Sequence, residues 1–147
     1  MVASILCVCT GNICRSPVAE AALRAALPEV QVASAGLHAL VGHDIDADSA
    51  AAARDQGIPL AAHAARQFTI ELGERAELIL VMDQGHRDEI ARRWPQFSGK
   101  TLLLGHFEKG KSIPDPYRMG MGMHQRAVEM IHDSVPHWVQ QLAMMRG

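Results

Sequence analysis

The chain has 147 residues, 48% of them hydrophobic and 20% charged, with a net charge of −2 at neutral pH. Length and composition fit one domain that buries a core without disulfides or metals, and they exclude a disordered chain. The near-neutral charge offers no global attraction for nucleic acid or an anionic membrane surface, and no run approaches the roughly 18–20 apolar residues of a membrane span.

The N-terminus has neither a basic stretch nor a small-residue cleavage pattern, so it does not read as a signal peptide. Cys7, Cys9 and Cys14 are the three cysteines, crowded into one stretch. That odd count argues against a secreted disulfide framework and for reduced thiols in the cytoplasm.

In chain order, residues 2–8 (VASILCV) form a continuous apolar run, which predicts a strand buried on both faces of a parallel sheet. Ser16-Pro17 then reads as a hydroxyl N-cap followed by proline at the first helical position. VAEAALRAAL supplies helix formers until Pro28 stops them. Residues 30–36 (VQVASAG) predict a second strand, and an alanine-rich helix is expected over 47–56, closed by Gly57. Residues 76–82 (AELILVM) predict a third strand, after which Asp83 caps a helix that Pro95 ends. KTLLLG, at 100–105, predicts a short fourth strand, followed by a polar, proline-bearing loop to about 121. The last helix, over 122–145, places Val128, Ile131, Val135, Val139 and Leu142 at near-helical spacing. Pro136 inside it is expected to kink or split it.

Strands alternating with helices predict an α/β fold, a single-domain (1–147) three-layer α/β/α sandwich on a short four-stranded parallel sheet with right-handed crossovers. Ligands in such folds bind beyond the carboxyl ends of the strands, where residues 9–16 fall.

If that segment wraps an anion, its backbone amides and the following helix N-terminus form a nest of donors. Gly11 permits a close approach or positive φ, Asn12 tolerates the left-handed region and can brace the loop, and Arg15 adds a planar fork for two phosphate oxygens. The nucleotide-binding pattern G-x-x-x-x-G-K-[ST] is missing, and no lysine precedes position 100. Cys9 sits in the cradle instead. Amide donors, helix dipole and arginine favour its thiolate, with Ser16 placed to donate to the sulfur. A thiolate beneath a bound tetrahedral anion is set for in-line attack at phosphorus. The competing readings are a buried structural cysteine, and a zinc site from Cys7, Cys9 and Cys14. The C-x-C-x4-C spacing matches no usual knuckle, and Arg15 is a poor neighbour for a cation.

Expulsion of an alkoxide or phenolate is faster when a general acid protonates the leaving oxygen. Asp115 in IPDPYR is the best candidate, held between two prolines beside Tyr117; a polar surface turn is the alternative.

ILCVCTGNICRSPVAEA followed much later by DPY resembles the low-molecular-weight protein tyrosine phosphatases, whose signature is V-C-x-G-N-x-C-R-S-P. The likeness extends along the chain through SAGL, HAARQ, LILVMD and PDPYR. SAGLHALVG is closer to bacterial members that act on tyrosine autokinases of capsule and exopolysaccharide production. The resemblance implies Cys9 as nucleophile, Arg15 as phosphate clamp and Asp115 as acid, then base. Thr10, Gly11, Asn12, Ile13, Cys14 and Ser16 would complete the phosphate-binding loop, His63 and Arg66 would support it, and Leu37 and Tyr117 would line the groove for the phosphotyrosine ring. It implies no metal or cofactor, and as partners an inorganic phosphate or similar oxyanion and a phosphotyrosine protein, in particular a bacterial tyrosine kinase. Cys14 would trap oxidised Cys9 as a disulfide, while Cys7 packs on the strand.

Two rivals differ in class. Thioredoxin-coupled arsenate reductases share the Cys-x5-Arg loop but relay a disulfide through two later cysteines, and none follows Cys14 here. A phosphate-binding module without turnover would lack the nucleophile or the acid, and this chain has both.

Overall fold

The computed structural model describes residues 2–145. Its strands are β1 (Ser4–Cys9), β2 (Gln31–Gly36), β3 (Leu78–Val81) and β4 (Thr101–Leu103). They form one parallel sheet in the order β2-β1-β3-β4. Its helices are α1 (Arg15–Ala26), α2 (Ala47–Asp55), α3 (Ile70–Arg75), α4 (Gln84–Arg93) and α5 (Met121–Met145).

The apolar runs of β1 and β3 split by alternation between two cores. Ile5, Cys7, Cys9, Leu78, Leu80 and Met82 face a cluster built with Val18 and Leu23 of α1 and Val128, Ile131 and Trp138 of α5. Leu6, Val8, Ile79 and Val81 face a second cluster with Phe68, Ile90 of α4 and Phe97. A sheet covered on both faces is the three-layer arrangement predicted, and it explains why these strands lack polar alternation.

From β1 the chain crosses to β2 on one side, and later to β3 on the other. The crevice where strand order reverses therefore lies at the carboxyl ends of β1 and β3. The stretch after Cys9 and the stretch after Val81 both open into it.

Several boundaries differ from expectation. Ser16 is not the cap of α1, which begins at Arg15 with Cys14 at the N-cap and no side-chain cap; the Ser16 hydroxyl is engaged by Cys9 and Asn12 instead. The six-residue α3, capped by the Thr69 side chain, is too short to give a periodic signal. Pro95 ends α4 but also opens a 3-10 turn, Pro95–Lys100. α5 runs unbroken through Pro136. Val128, Ile131, Val135, Trp138 and Leu142 hold both halves against the same core, and the Trp138 Nε1–H donates to the Leu104 carbonyl at 2.7 Å.

The carboxyl end of β2 meets the loop after β1 so closely that only glycine fits. A Cβ at Gly36 would lie 2.4 Å from the Thr10 carbonyl oxygen and 3.0 Å from the Asn12 nitrogen. Both neighbours are backbone and cannot swing aside. Gly36→Ala is expected to cost about 1–3 kcal/mol, read by urea denaturation. A variant that kept wild-type stability would contradict this close packing.

Candidate active site

Cys9 ends β1 with its sulfur 2.9 Å from Ser16 Oγ. The direction of that bond follows from Asn12, whose Nδ2 donates to Ser16 Oγ at 2.8 Å. With a lone pair occupied by the amide, the Ser16 hydroxyl is free to donate to the sulfur, which stabilises negative charge there.

Asn12 is fully buried at φ +60°, the left-handed region that asparagine tolerates. Its Nδ2 also donates to Ser34 Oγ at 3.0 Å, and Ser34 in turn donates to Glu20 at 2.6 Å. Its Oδ1 accepts from the Arg66 backbone N–H at 2.9 Å, and its carbonyl accepts from His63 Nε2 at 2.7 Å. The Arg66 Nε–H donates to the Ser34 carbonyl at 3.0 Å. His63 and Arg66 thus lie where the loop is braced, while Ser34 and Glu20 complete a network that the sequence reading did not include.

Arg15, 3% exposed, opens α1. Its Nη1 donates to Asp83 Oδ2 at 2.8 Å and to the Ile113 carbonyl at 2.9 Å. Its Nη2 donates to Thr10 Oγ1 at 3.4 Å and stands 3.7 Å from Asp115 Oδ2. Asp83, read from sequence only as a helix cap, therefore serves twice. It caps α4, accepting the His86 N–H on Oδ1 at 3.0 Å, and fixes Arg15 through Oδ2. Burial raises the Asp83 pKa, but the Arg15 hydrogen bond and neighbouring His86 hold it below the ordinary value. The available signal was topological: Asp83 follows the strand that adjoins β1.

Asp115 is half exposed, with a side-chain exposure of 52%. Its Oδ1 accepts the Tyr117 backbone N–H at 3.1 Å, which turns Oδ2 toward Arg15. A cleft of about 170 Å³ brings Cys9, Arg15 and Asp115 together with the loop residues Thr10, Gly11, Ile13 and Cys14; Tyr117, His38 and Leu40 form its outer wall. Leu37 does not line it. That side chain is 1% exposed and packs with Leu6, Val8 and Phe68 under the sheet, so the next turn supplies the wall instead.

The other two thiols are chemically distinct. Burial pushes Cys7 well above its ordinary value, with Glu20 adding to the effect. Burial also pushes Cys14 up to about 12, against a hydrogen bond from Ser49, with Asp46 reinforcing the rise. Cys14, Asp46 and His124 bring possible metal ligands within 4.8 Å of one another. Internal bonds already engage the polar groups of that cluster: Ser49 Oγ pairs with His124 Nδ1 at 2.7 Å, and Asp46 caps α2.

His86 is buried between Asp83 and Arg15, and burial lowers its pKa from 6.5 to about 4. The folded protein keeps this ring neutral while the unfolded chain protonates it, so stability is lost as pH falls from 6.5 toward 4 and no further below. The depressed Asp83 adds its own loss only below 3.8. Between pH 7.5 and 5, denaturant titrations should show roughly 2 kcal/mol of loss attributable to His86, absent in His86→Gln.

The family model for low molecular weight phosphotyrosine protein phosphatases matches residues 4–146. The low molecular weight protein-tyrosine-phosphatase Etp of Escherichia coli K12 is 42% identical over 140 residues, 95% of each chain. Among solved structures, the tyrosine phosphatase Wzb of Escherichia coli K30, in complex with sulphate, superposes with a TM-score of 0.93 at 40% identity, covering 97% of this chain and 99% of that one. The YwlE arginine phosphatase of Geobacillus stearothermophilus gives 0.89 at 34% identity, covering 97% and 94%.

Proposed function

The chain belongs to the low molecular weight phosphotyrosine protein phosphatase family, and on that premise we propose that it hydrolyses phosphotyrosine through a phospho-cysteine at Cys9. The observation that carries the reading is a single cleft holding the Cys9 sulfur, the Arg15 fork and the Asp115 carboxylate.

In the first step the Cys9 thiolate attacks phosphorus and the bond from phosphorus to the phenolic oxygen breaks. Protonated Asp115 gives its proton to that oxygen, so tyrosine leaves neutral. In the second step a water oxygen attacks phosphorus while Asp115, now a carboxylate, takes its proton. The sulfur–phosphorus bond breaks, releasing phosphate and restoring the thiolate. Arg15 and the loop amides face the equatorial oxygens, where charge is redistributed. The Ser16 hydroxyl holds the sulfur as it attacks and as it leaves.

The walls favour an aryl group. Ile13, Leu40 and Tyr117 are apolar or aromatic, and Asp115 is the carboxylate among the lining residues; a cationic guanidinium would meet little else to pair with. Val41, next to Leu40, and Met119, two residues past Tyr117, are 67% and 64% exposed, apolar groups suited to contact with a protein segment rather than a free phosphate ester. With the sequence resemblance, this supports a phosphorylated bacterial tyrosine autokinase, or its substrates in exopolysaccharide regulation, as the physiological target. The cytoplasm, where Cys9 stays reduced, is the compartment that suits it.

Cys9→Ser is expected to abolish turnover of an aryl phosphate and leave phosphate binding largely intact. Residual turnover at an appreciable rate would remove the covalent step. Asp115→Asn should lower kcat about 10²–10⁴-fold on poor leaving groups and much less on good ones; equal loss on both would contradict the acid role. Side-by-side assays of phosphotyrosine, phosphoserine and phosphoarginine peptides should show preference for the first. Faster hydrolysis of phosphoarginine would move the chain's activity toward that of its YwlE neighbour.

A further inference from the structure

Thr10 and His86 form a pair on the cleft wall that the chemistry above leaves unused. Thr10 lies between the nucleophile and Gly11, at a position that the V-C-x-G-N signature leaves open. It lines the cleft beside Arg15. His86, 5% exposed in the first turn of α4, reaches across to it, with Nε2 2.9 Å from Thr10 Oγ1.

The far side of the ring decides which atom donates. The Asp83 backbone N–H donates to His86 Nδ1 at 3.2 Å, so that nitrogen presents its lone pair. Asp83 Oδ1 also stands 3.3 Å from Nδ1 and accepts the backbone N–H of His86 at 3.0 Å, but a proton on Nδ1 would be turned against the Asp83 N–H donated to that nitrogen. In a neutral imidazole the proton then sits on Nε2 and is donated to Thr10. Arg15, which has donors only, brings Nη2 to 3.4 Å from the same hydroxyl oxygen, nearer than the 3.5 Å that separates it from His86 Nε2. Both lone pairs of Oγ1 are engaged, and no acceptor among the described residues takes its proton.

We propose that His86 is a positioning residue that sets the polarity of the Thr10 hydroxyl, making it a dedicated donor to an oxyanion bound in the loop. The oxyanion itself rests on the phosphatase reading. A free hydroxyl rotor can turn a lone pair toward a phosphate oxygen, which repels it. Filling both lone pairs removes that state and prepares the donor before the ligand arrives. Burial keeps the ring neutral over the working pH range, among Asp83, Arg15, Asp115 and Glu89, so the polarity does not reverse during turnover.

Long-range ¹H–¹⁵N correlation spectra of the wild-type protein read the tautomer directly. A proton on Nε2 is expected; a proton on Nδ1 would make Thr10 the donor to His86 and overturn the proposal. A double-mutant cycle then reads the inhibition constant of inorganic phosphate, with kcat and KM for a phosphotyrosine peptide. Thr10→Val is expected to weaken phosphate about tenfold, and Thr10→Ser to stay near wild type. His86→Leu should weaken phosphate several-fold in the wild-type background and not at all beside Thr10→Val. An equal loss in both backgrounds reduces His86 to its helix cap and overturns the proposal, as does unchanged phosphate inhibition in Thr10→Val. Should His86→Leu fail to fold, the tautomer and the Thr10 variants still decide. Wild-type protein that neither binds phosphate nor hydrolyses phosphotyrosine would instead remove the reading beneath it.

Discussion

The site depends on Asn12 being held buried in the left-handed region. One residue turns the chain from a strand into a helix within a few positions, and that turn brings Cys9 and Arg15 to the same cleft. The strain is offset because nearly every polar group of Asn12 has a partner: its amide nitrogen bonds two serines, its amide oxygen an N–H from the segment after α2, and its carbonyl a histidine ring. A buried amide left half-satisfied would cost more than the fold gains from it. Loop, second strand and the 63–66 segment therefore form as one unit.

Around that unit, two carboxylates flank Arg15 and have unlike settings. Asp83 is tied at both oxygens, one to a helix cap and one to the guanidinium. Asp115 is half exposed, its Oδ2 near Arg15 but beyond hydrogen-bonding distance. The first can hold a charge in place but cannot exchange a proton freely; the second has the freedom that proton transfer requires. Burial and bonding, rather than residue type, separate the anchored carboxylate from the freer one.

Much of this was legible in the chain. The apolar runs marked the buried parallel strands, and the loop announced itself because its parts are contiguous: Cys9, Gly11, Asn12 and Arg15 lie within one short segment. Asp115 stands out only through its flanking prolines and the family likeness, since no local pattern ties it to Cys9. What stayed hidden was long-range. The partnership of Asp83 with Arg15, the Ser34–Glu20 leg of the network and the reach of His86 to Thr10 each join segments that meet only when the sheet assembles. Ser16 was misread for a related reason, because a serine before proline has the local signature of a cap whichever group its hydroxyl eventually serves. Leu37 was placed one turn too early: β2 ends at Gly36, and the side chain after it still points into the core.

The double use of Asp83 also limits how this protein can drift in sequence. A helix start alone accepts serine, threonine or asparagine almost as readily as aspartate. Here the same side chain must also carry a charge for a buried guanidinium, so those ordinarily neutral exchanges would take from Arg15 its hydrogen-bonded anion. Neither can the arginine change alone, since that would strand the carboxylate. Positions 15 and 83, far apart in the chain, form one inherited unit, and the start of α4 is no longer free to vary as surface helix starts usually are.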